Sequence, residues 1–333
     1  MITRQGNIIV WSLLTLAVLC IFLLQLLVGS YPVSISDLLH MVPDSSVENI
    51  FYQSRLPAAI AATVGGAALS LGGLQMQTYF KNPVAGPFVL GISSGASLGV
   101  AMLIMLSGLL GYDHTGEWSL VLASSIGALC IFFVVMILSY RLHSAVSMLI
   151  IGLMIASFVS AIVETIQTLA TADSIKSYLF WTMGSYRSIS LSQTPIMTAV
   201  IAIALIMSIY LVKPLNLLLI GEEYARLTGL NITRSRVLVV ISTCLLTGAV
   251  TAFCGPIGFV GLAVPHIARG LFKTSDHKIL TPAVLLIGAV VSGFCNLLTG
   301  ISFHGLVLPI NTITSLIGAP FVIWIVFRSK AFR

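Results

Sequence analysis

The sequence predicts an all-α polytopic membrane protein of about ten transmembrane helices, several interrupted, with a short pair of helices exposed to the cytoplasm. Three observations carry this. Charged residues are only 8% of the 333 and hydrophobic ones 58%, where soluble domains carry roughly 25% charge. Apolar runs of about 20 residues, enough to cross a ~30 Å hydrocarbon core, recur along the whole chain. Lysine and arginine gather on one side of the resulting layout.

In chain order the spans fall near 8–29, 57–78, 89–107, 119–140, 146–171, 192–212, 236–254, 256–272, 279–301 and 310–327. The first run, Ile8–Val28, is too long for a secretory signal and lacks an evident cleavage site, so it reads as a retained span. Gly255-Pro256 divides the seventh from the eighth, and Pro265 sits inside the eighth. Such breaks free backbone groups that only neighbouring protein can satisfy, which buries these segments in a bundle or around a cavity. Residues 1–333 read as one transmembrane domain.

Orientation follows from counting charges. One side collects Arg4, Lys81, Arg141, Lys213, Arg226, Arg234, Arg236, Arg269, Lys273, Lys278, Arg328, Lys330 and Arg333; the other has only Arg55, Lys176 and Arg187, which completes the 16. The excess marks the cytoplasmic face and places both termini and residues 213–236 there. The net charge of +6 is therefore a topology signal, and nucleic acid is not an expected partner.

Lys213–Arg236 is the one long internal stretch polar enough for water and patterned enough to fold. Pro214 can open a short helix through Leu215–Ile220, interrupted by Gly221. Glu222 and Glu223 suit the positive end of a second, with Gly229 as its left-handed stop. Tyr224, Leu227 and Leu230 share one side of it, while Glu223 and Arg226 fall elsewhere. By pattern alone this is a docking piece for a soluble partner or a helix pair lying on the headgroups.

Local chemistry is sparse. The five cysteines lie in or beside apolar spans without CxxC spacing and read as packing residues. The histidines form no HExxH pair, and no metal site or Ser/His/Asp arrangement stands out. The sequence contains no Gly-Lys pair and hence no phosphate-binding loop, so nucleotide hydrolysis would come from another chain. Small residues are abundant at close-packing spacing: Ala62, Gly66 and Ser70 in the second span, Gly91, Gly95 and Gly99 in the third. Stripped faces of this kind let helix backbones touch. A direct substrate contact is the alternative, through Ser93, Ser94, Ser97, Gln75 and Gln77. Glu164 is the one acid inside a span; it either serves a pathway or reaches solvent at the outer end.

The block RLPAAIAATVGGAALSLGGLQMQTYFKNPVAGPFVLGISSGASLG (Arg55–Gly99) resembles the FecCD-type permeases, the membrane subunits of ATP-driven importers for iron–siderophore, haem and cobalamin. GPIGFVGLAVPHIAR (Gly255–Arg269) is similar to that family's F-x-G-L-x-x-P-H-x-x-R segment, and LPINTITSLIGAPFVIWIVF (Leu308–Phe327) to its last span. Gly221–Gly229 nearly meets its G-E-E-x-A-x-x-L-G pattern. The resemblance implies a second membrane subunit, read as an identical copy, two cytoplasmic ATPases using ATP and Mg, an extracytoplasmic binding protein, and the inner membrane of a bacterium. The chain itself would bind no cofactor and perform no chemistry. The resemblance implies a coupling role for Gly221–Leu227 and Gly229, a binding-protein contact at Arg55, and pathway or packing roles for Asn82, Pro83, Pro265 and His266 beside Gly66, Gln77, Gly91, Ser94, Gly95 and Glu164.

Departures matter too. The second arginine of R-L-P-R is Ala58; the Asp and Arg near the outer end of the ninth span align with Asn296 and Gly300. Lys176, Arg187 and His304 are candidate substitutes. Val307 and Asn311 replace an acid and a glycine around Leu308-Pro309. A membrane enzyme or an ion-coupled carrier is the rival class; the first lacks a nucleophile or metal cluster, and the second has only Glu164.

Overall fold

Backbone amides in hydrocarbon must be satisfied within the protein, and the described residues answer with helices almost throughout. The computed structural model describes residues 4–29, 31, 36, 45–110, 116, 118–141, 145–301 and 308–328. Helix α1 spans Arg4–Leu27; Ser46–Ile50 runs through a π-helical turn, Phe51–Arg55, into α2, Leu56–Tyr79. Helix α3 (Ile92–Ala101) continues through a second π-helical turn at Met102–Leu106. Then come α4 (Ser119–Arg141), α5 (Ala145–Leu169), α6 (Ala172–Thr182), α7 (Thr194–Ile220) and α8 (Glu222–Leu227). Helices α9 (Ile232–Cys254), α10 (Val260–Phe272), α11 (His277–Thr299) and α12 (Ile310–Arg328) complete the bundle.

Seven helices among the described residues are long and apolar enough to cross a membrane, and three shorter apolar helices occupy 92–106, 260–272 and 310–323. These ten stand where the sequence places ten spans. The 13 residues of α10 rise only ~20 Å, so non-helical backbone before it must run at membrane depth and be satisfied by neighbours.

The interior centres on α2, which packs against α11, α9, α10 and α7. Small residues set that closeness. A Cβ on Gly66 would collide with Ser292 and the Gly288 carbonyl of α11, and one on Gly73 with the backbone of Gly261. On the other side of the bundle a Cβ on Gly95 would lie 2.5 Å from the Gly127 carbonyl of α4. Gly66 and Gly95 are thus scaffold, with no room for a ligand between the helices. The buried amide of Gln75 donates to Ser208 (2.8 Å) and Ser242 (3.1 Å) and accepts from Thr243 (2.8 Å), tying α2 to α7 and α9.

Three features differ from the sequence expectation. Pro214 opens no new helix: α7 runs unbroken for 27 residues with Pro214 inside, because buried Leu211, Leu215 and Leu218 hold both sides of it. Hence the expected helix pair is one short helix on the end of a long one. Gly91 belongs to no helical stripe; its φ of 83° ends the turn Pro87–Leu90 and starts α3. Helix α6, between two spans, was not anticipated; Thr171 caps it by accepting from Ser174 N.

Candidate functional site

At 27 residues, α7 rises ~40 Å, about 10 Å more than a hydrocarbon core. The excess carries α8 beyond the bundle end. The chain turns at Gly221 (φ 151°, ψ 151°), backbone space open only to glycine. Glu222 and Glu223 fill the first turn of α8. Its far end is a Schellman motif: Leu230 N donates to Ala225 O (3.0 Å), Gly229 N to Arg226 O (2.9 Å), and Gly229 has φ 83°. The underside is anchored by Ala225, fully buried, and by Glu222, whose carboxylate accepts from Arg236 of α9 at 2.6 Å. The upper face is bare: Leu227 is 87% and Tyr224 50% exposed, with Glu223 and Arg226 exposed beside them.

A half-buried polar junction lies at the same end. Asn216 of α7 donates to Asp276 (2.6 Å) and accepts at Oδ1 from His277 N (2.9 Å) and His277 Nδ1 (2.8 Å). That oxygen can only accept, so Nδ1 carries the imidazole proton; Nε2 lies 2.9 Å from Thr78 Oγ1 of α2, a hydroxyl that also reaches Leu74 O at 2.9 Å. Asp276 also accepts from Lys278 N, which with the Asn216 amide holds its carboxyl below the usual range. Nearby Gln77 accepts from Arg269 (2.6 Å) and donates to Leu262 O (3.1 Å), and His266 bonds Pro83 O (2.7 Å). Asn82 folds the same loop by accepting from Val84 N, and Pro265 is buried within α10. Gln77 and His266 therefore knit α2 and its following loop to α10, and Gln75 and Gln77 face no passage.

The opposite end holds the basic residues Arg55 and Arg187. Arg55, expected as an exposed docking charge, is 7% exposed and turned inward. Its guanidinium donates to Leu26 O (2.8 Å), Leu27 O (2.5 Å) and Tyr31 O, tying the end of α1 to the start of α2. Arg187 is half-buried and folds over Gly300, where a Cβ would strike its Nη2. The glycine that removes one positive charge thus makes room for another. Burial, then the neighbouring Arg55 charge, holds the Arg187 guanidinium below the usual arginine range. His304 and Val307 lie outside the described residues.

Sequence reasoning treated Asn311 only as a missing glycine. The side chain serves the non-helical backbone before α10: Asn311 donates to Pro256 O (2.7 Å) and Thr182 O (3.3 Å) and accepts from Gly258 N (2.9 Å). On the flank of the bundle, a mostly polar cleft of about 250 Å³ lies between α3, α5 and α6. Ser94 lines it, and Glu164 stands exposed beside it.

This arrangement offers exposed apolar side chains on α8, a hydrogen-bonded junction at the same end, and a polar cleft. Among the described residues no group of three His, Cys, Asp or Glu is placed to hold a metal ion. Residues 16–328 match the FecCD transport family. The chain is 33% identical to the vitamin B12 import system permease protein BtuC of Salmonella arizonae, over 98% of this chain and 96% of that one. An ABC transporter permease protein of Methanocaldococcus jannaschii is 30% identical over 98% of both chains. Among solved structures, a metal-chelate type ABC transporter in an inward-facing conformation superposes with a TM-score of 0.82 at 26% identity, covering 95% of this chain and 98% of that one.

Proposed function

The chain belongs to the FecCD transport family and is an ABC importer permease, and from there we propose that it carries a metal chelate inward across a bacterial cytoplasmic membrane. The chelate class takes in iron–siderophore, haem and cobalamin; relatives named for vitamin B12 and for metal chelates support it. The chain supplies no hydrolysis. Two ATPase chains drive it, a second copy completes the pathway by alternating access, and an extracytoplasmic binding protein delivers the cargo.

The single observation that carries this reading is Leu227, 87% exposed on a helix otherwise pinned by glycine turns, an ion pair and a buried alanine. A leucine so presented is stabilised by entering a partner's cleft, by about 1.5–3 kcal/mol when fully buried. The Glu222–Arg236 pair, the buried Ala225 and the hydrogen bonds of its last turn hold α8 against the bundle. A push on α8 then passes along α7 to Asn216, and through His277 and Thr78 to α11 and α2, the centre of the bundle. Orientation with α8 and both termini in the cytoplasm follows from the thirteen-to-three distribution of basic residues.

The test is uptake into proteoliposomes holding the permease, its ATPase and its binding protein. Depleting ATP while an ion gradient is maintained abolishes uptake on this reading. Uptake that survives ATP depletion and collapses with the gradient makes the protein an ion-coupled carrier.

A further inference from the structure

Glu164 stands on α5 five residues before the helix ends at Leu169, about 7.5 Å inside that end. Ser160, Glu164 and Gln167 share one face at i, i+4 and i+7. Ser94 and Ser97, one turn apart on α3, stand opposite, and Tyr178 of α6 closes one side, its hydroxyl bonded to Ser97. Behind this face, buried Val159 and Val163 join a cluster with Ile104, Met105 and Tyr178, which fixes α5 against α3 and α6.

Among the described residues the Glu164 carboxylate forms no ion pair and accepts no hydrogen bond, and its side chain is exposed. A carboxylate inside a span is expensive against lipid and persists where it meets water or a polar passenger. Here three serine hydroxyls, a glutamine amide and a phenol line the same cleft of about 250 Å³. Hydroxyls and amides pair with the carbonyl and amide rim of a chelate. The lone negative charge discriminates by electrostatics, because no arginine or lysine in the cleft offsets it.

Building on the reading of the chain as a metal-chelate permease, we propose that the Glu164 cleft is a cargo contact that admits neutral or cationic chelates with carbonyl or amide rims and disfavours polyanionic ones. One charge at ~6 Å, at an effective dielectric near ~40, changes relative affinity about tenfold per unit of cargo charge.

The test uses the complete complex in proteoliposomes, with iron-55 loaded ferrioxamine B (cationic), ferrichrome (neutral) and enterobactin (polyanionic) as probes. Equilibrium binding of the same probes to the permease in nanodiscs removes the binding protein's own preference. Glu164→Gln is expected to lower the preference for the cationic over the neutral chelate about tenfold, and Glu164→Lys to extend the shift toward the anion. Ratios that stay fixed through the Glu, Gln, Lys series, or wild-type preference for the polyanion, overturn the proposal while leaving the importer reading intact. Loss of subunit pairing in Glu164→Gln makes the residue an assembly contact and also overturns it. Absence of any ATP-driven uptake by the wild type defeats the importer reading, and this inference with it.

Discussion

Arg236 Nη2 lies 2.6 Å from Glu222 Oε1, joining the second turn of α9 to the first turn of α8 across a chain separation of 14 residues. Arg236 is 7% exposed and Glu222 38%. The pair sits between the exposed kind, worth about 0–1 kcal/mol, and the buried kind, whose disruption costs about 3–5 kcal/mol. Its consequence is orientation: it sets the angle at which Tyr224 and Leu227 face outward.

Breaking that pair should uncouple more than it unfolds. Arg236→Met is expected to cost roughly 1–3 kcal/mol of stability and to lower transport per ATP hydrolysed. In a double-mutant cycle with Glu222→Gln the two losses should fail to add. Additive effects on transport would show that the pair does not position α8.

The glycine seam makes a second prediction. Gly95→Leu must clear the Gly127 carbonyl and Ile131, both 2.5 Å from even a first added carbon. Overpacking of this kind costs about 1–3 kcal/mol or more. The expected result is poor assembly with unaltered cargo preference in whatever complex survives. A stable variant with changed preference would move Gly95 from the scaffold into the pathway.

Asn311 makes a third. Asn311→Ala leaves Pro256 O, Thr182 O and Gly258 N without this partner, at about 1 kcal/mol for each net bond and more where the group stays dry. A fall in thermal stability of roughly 2–3 kcal/mol in nanodiscs is the expected reading, and Asn311→Gln should recover little because its longer arm overshoots. No measurable loss would mean that water reaches the break.

Much of this was legible in the sequence. Apolar length located the spans because lipid leaves the backbone no alternative to helix, and Gly221, Gly229 and the Tyr224/Leu227 stripe located α8 because their chemistry is local. Pro214 misled, since its local penalty is small beside the packing of Leu211, Leu215 and Leu218. Arg55 misled for another reason: charge counting assigns a side of the membrane, while three carbonyls at the end of α1 decided where the guanidinium points. Neither the Arg187 and Gly300 exchange nor the Asn311 bridge has a local signature. Both join segments far apart in the chain, Asn311 reaching back 53, 55 and 129 residues.

That exchange gives a fourth prediction. Arg187→Glu is expected to slow binding-protein association several-fold at low salt, with a smaller effect at physiological salt where fields decay over ~8 Å. Arg55→Gln should instead cost stability, about 2–3 kcal/mol for its charged hydrogen bonds, with little change in the salt dependence. The reverse pattern would return the docking role to Arg55.

The central claim is that α8 receives the motion of an ATPase, and Leu227→Asp tests it most directly. Seating an aspartate where the apolar side chain docks forfeits its burial and strands a charge, weakening docking by a few kcal/mol. In nanodiscs containing the correctly inserted variant, ATPase binding is predicted to weaken at least tenfold and cargo-stimulated hydrolysis to disappear. Wild-type ATPase affinity together with full transport by Leu227→Asp would contradict the account.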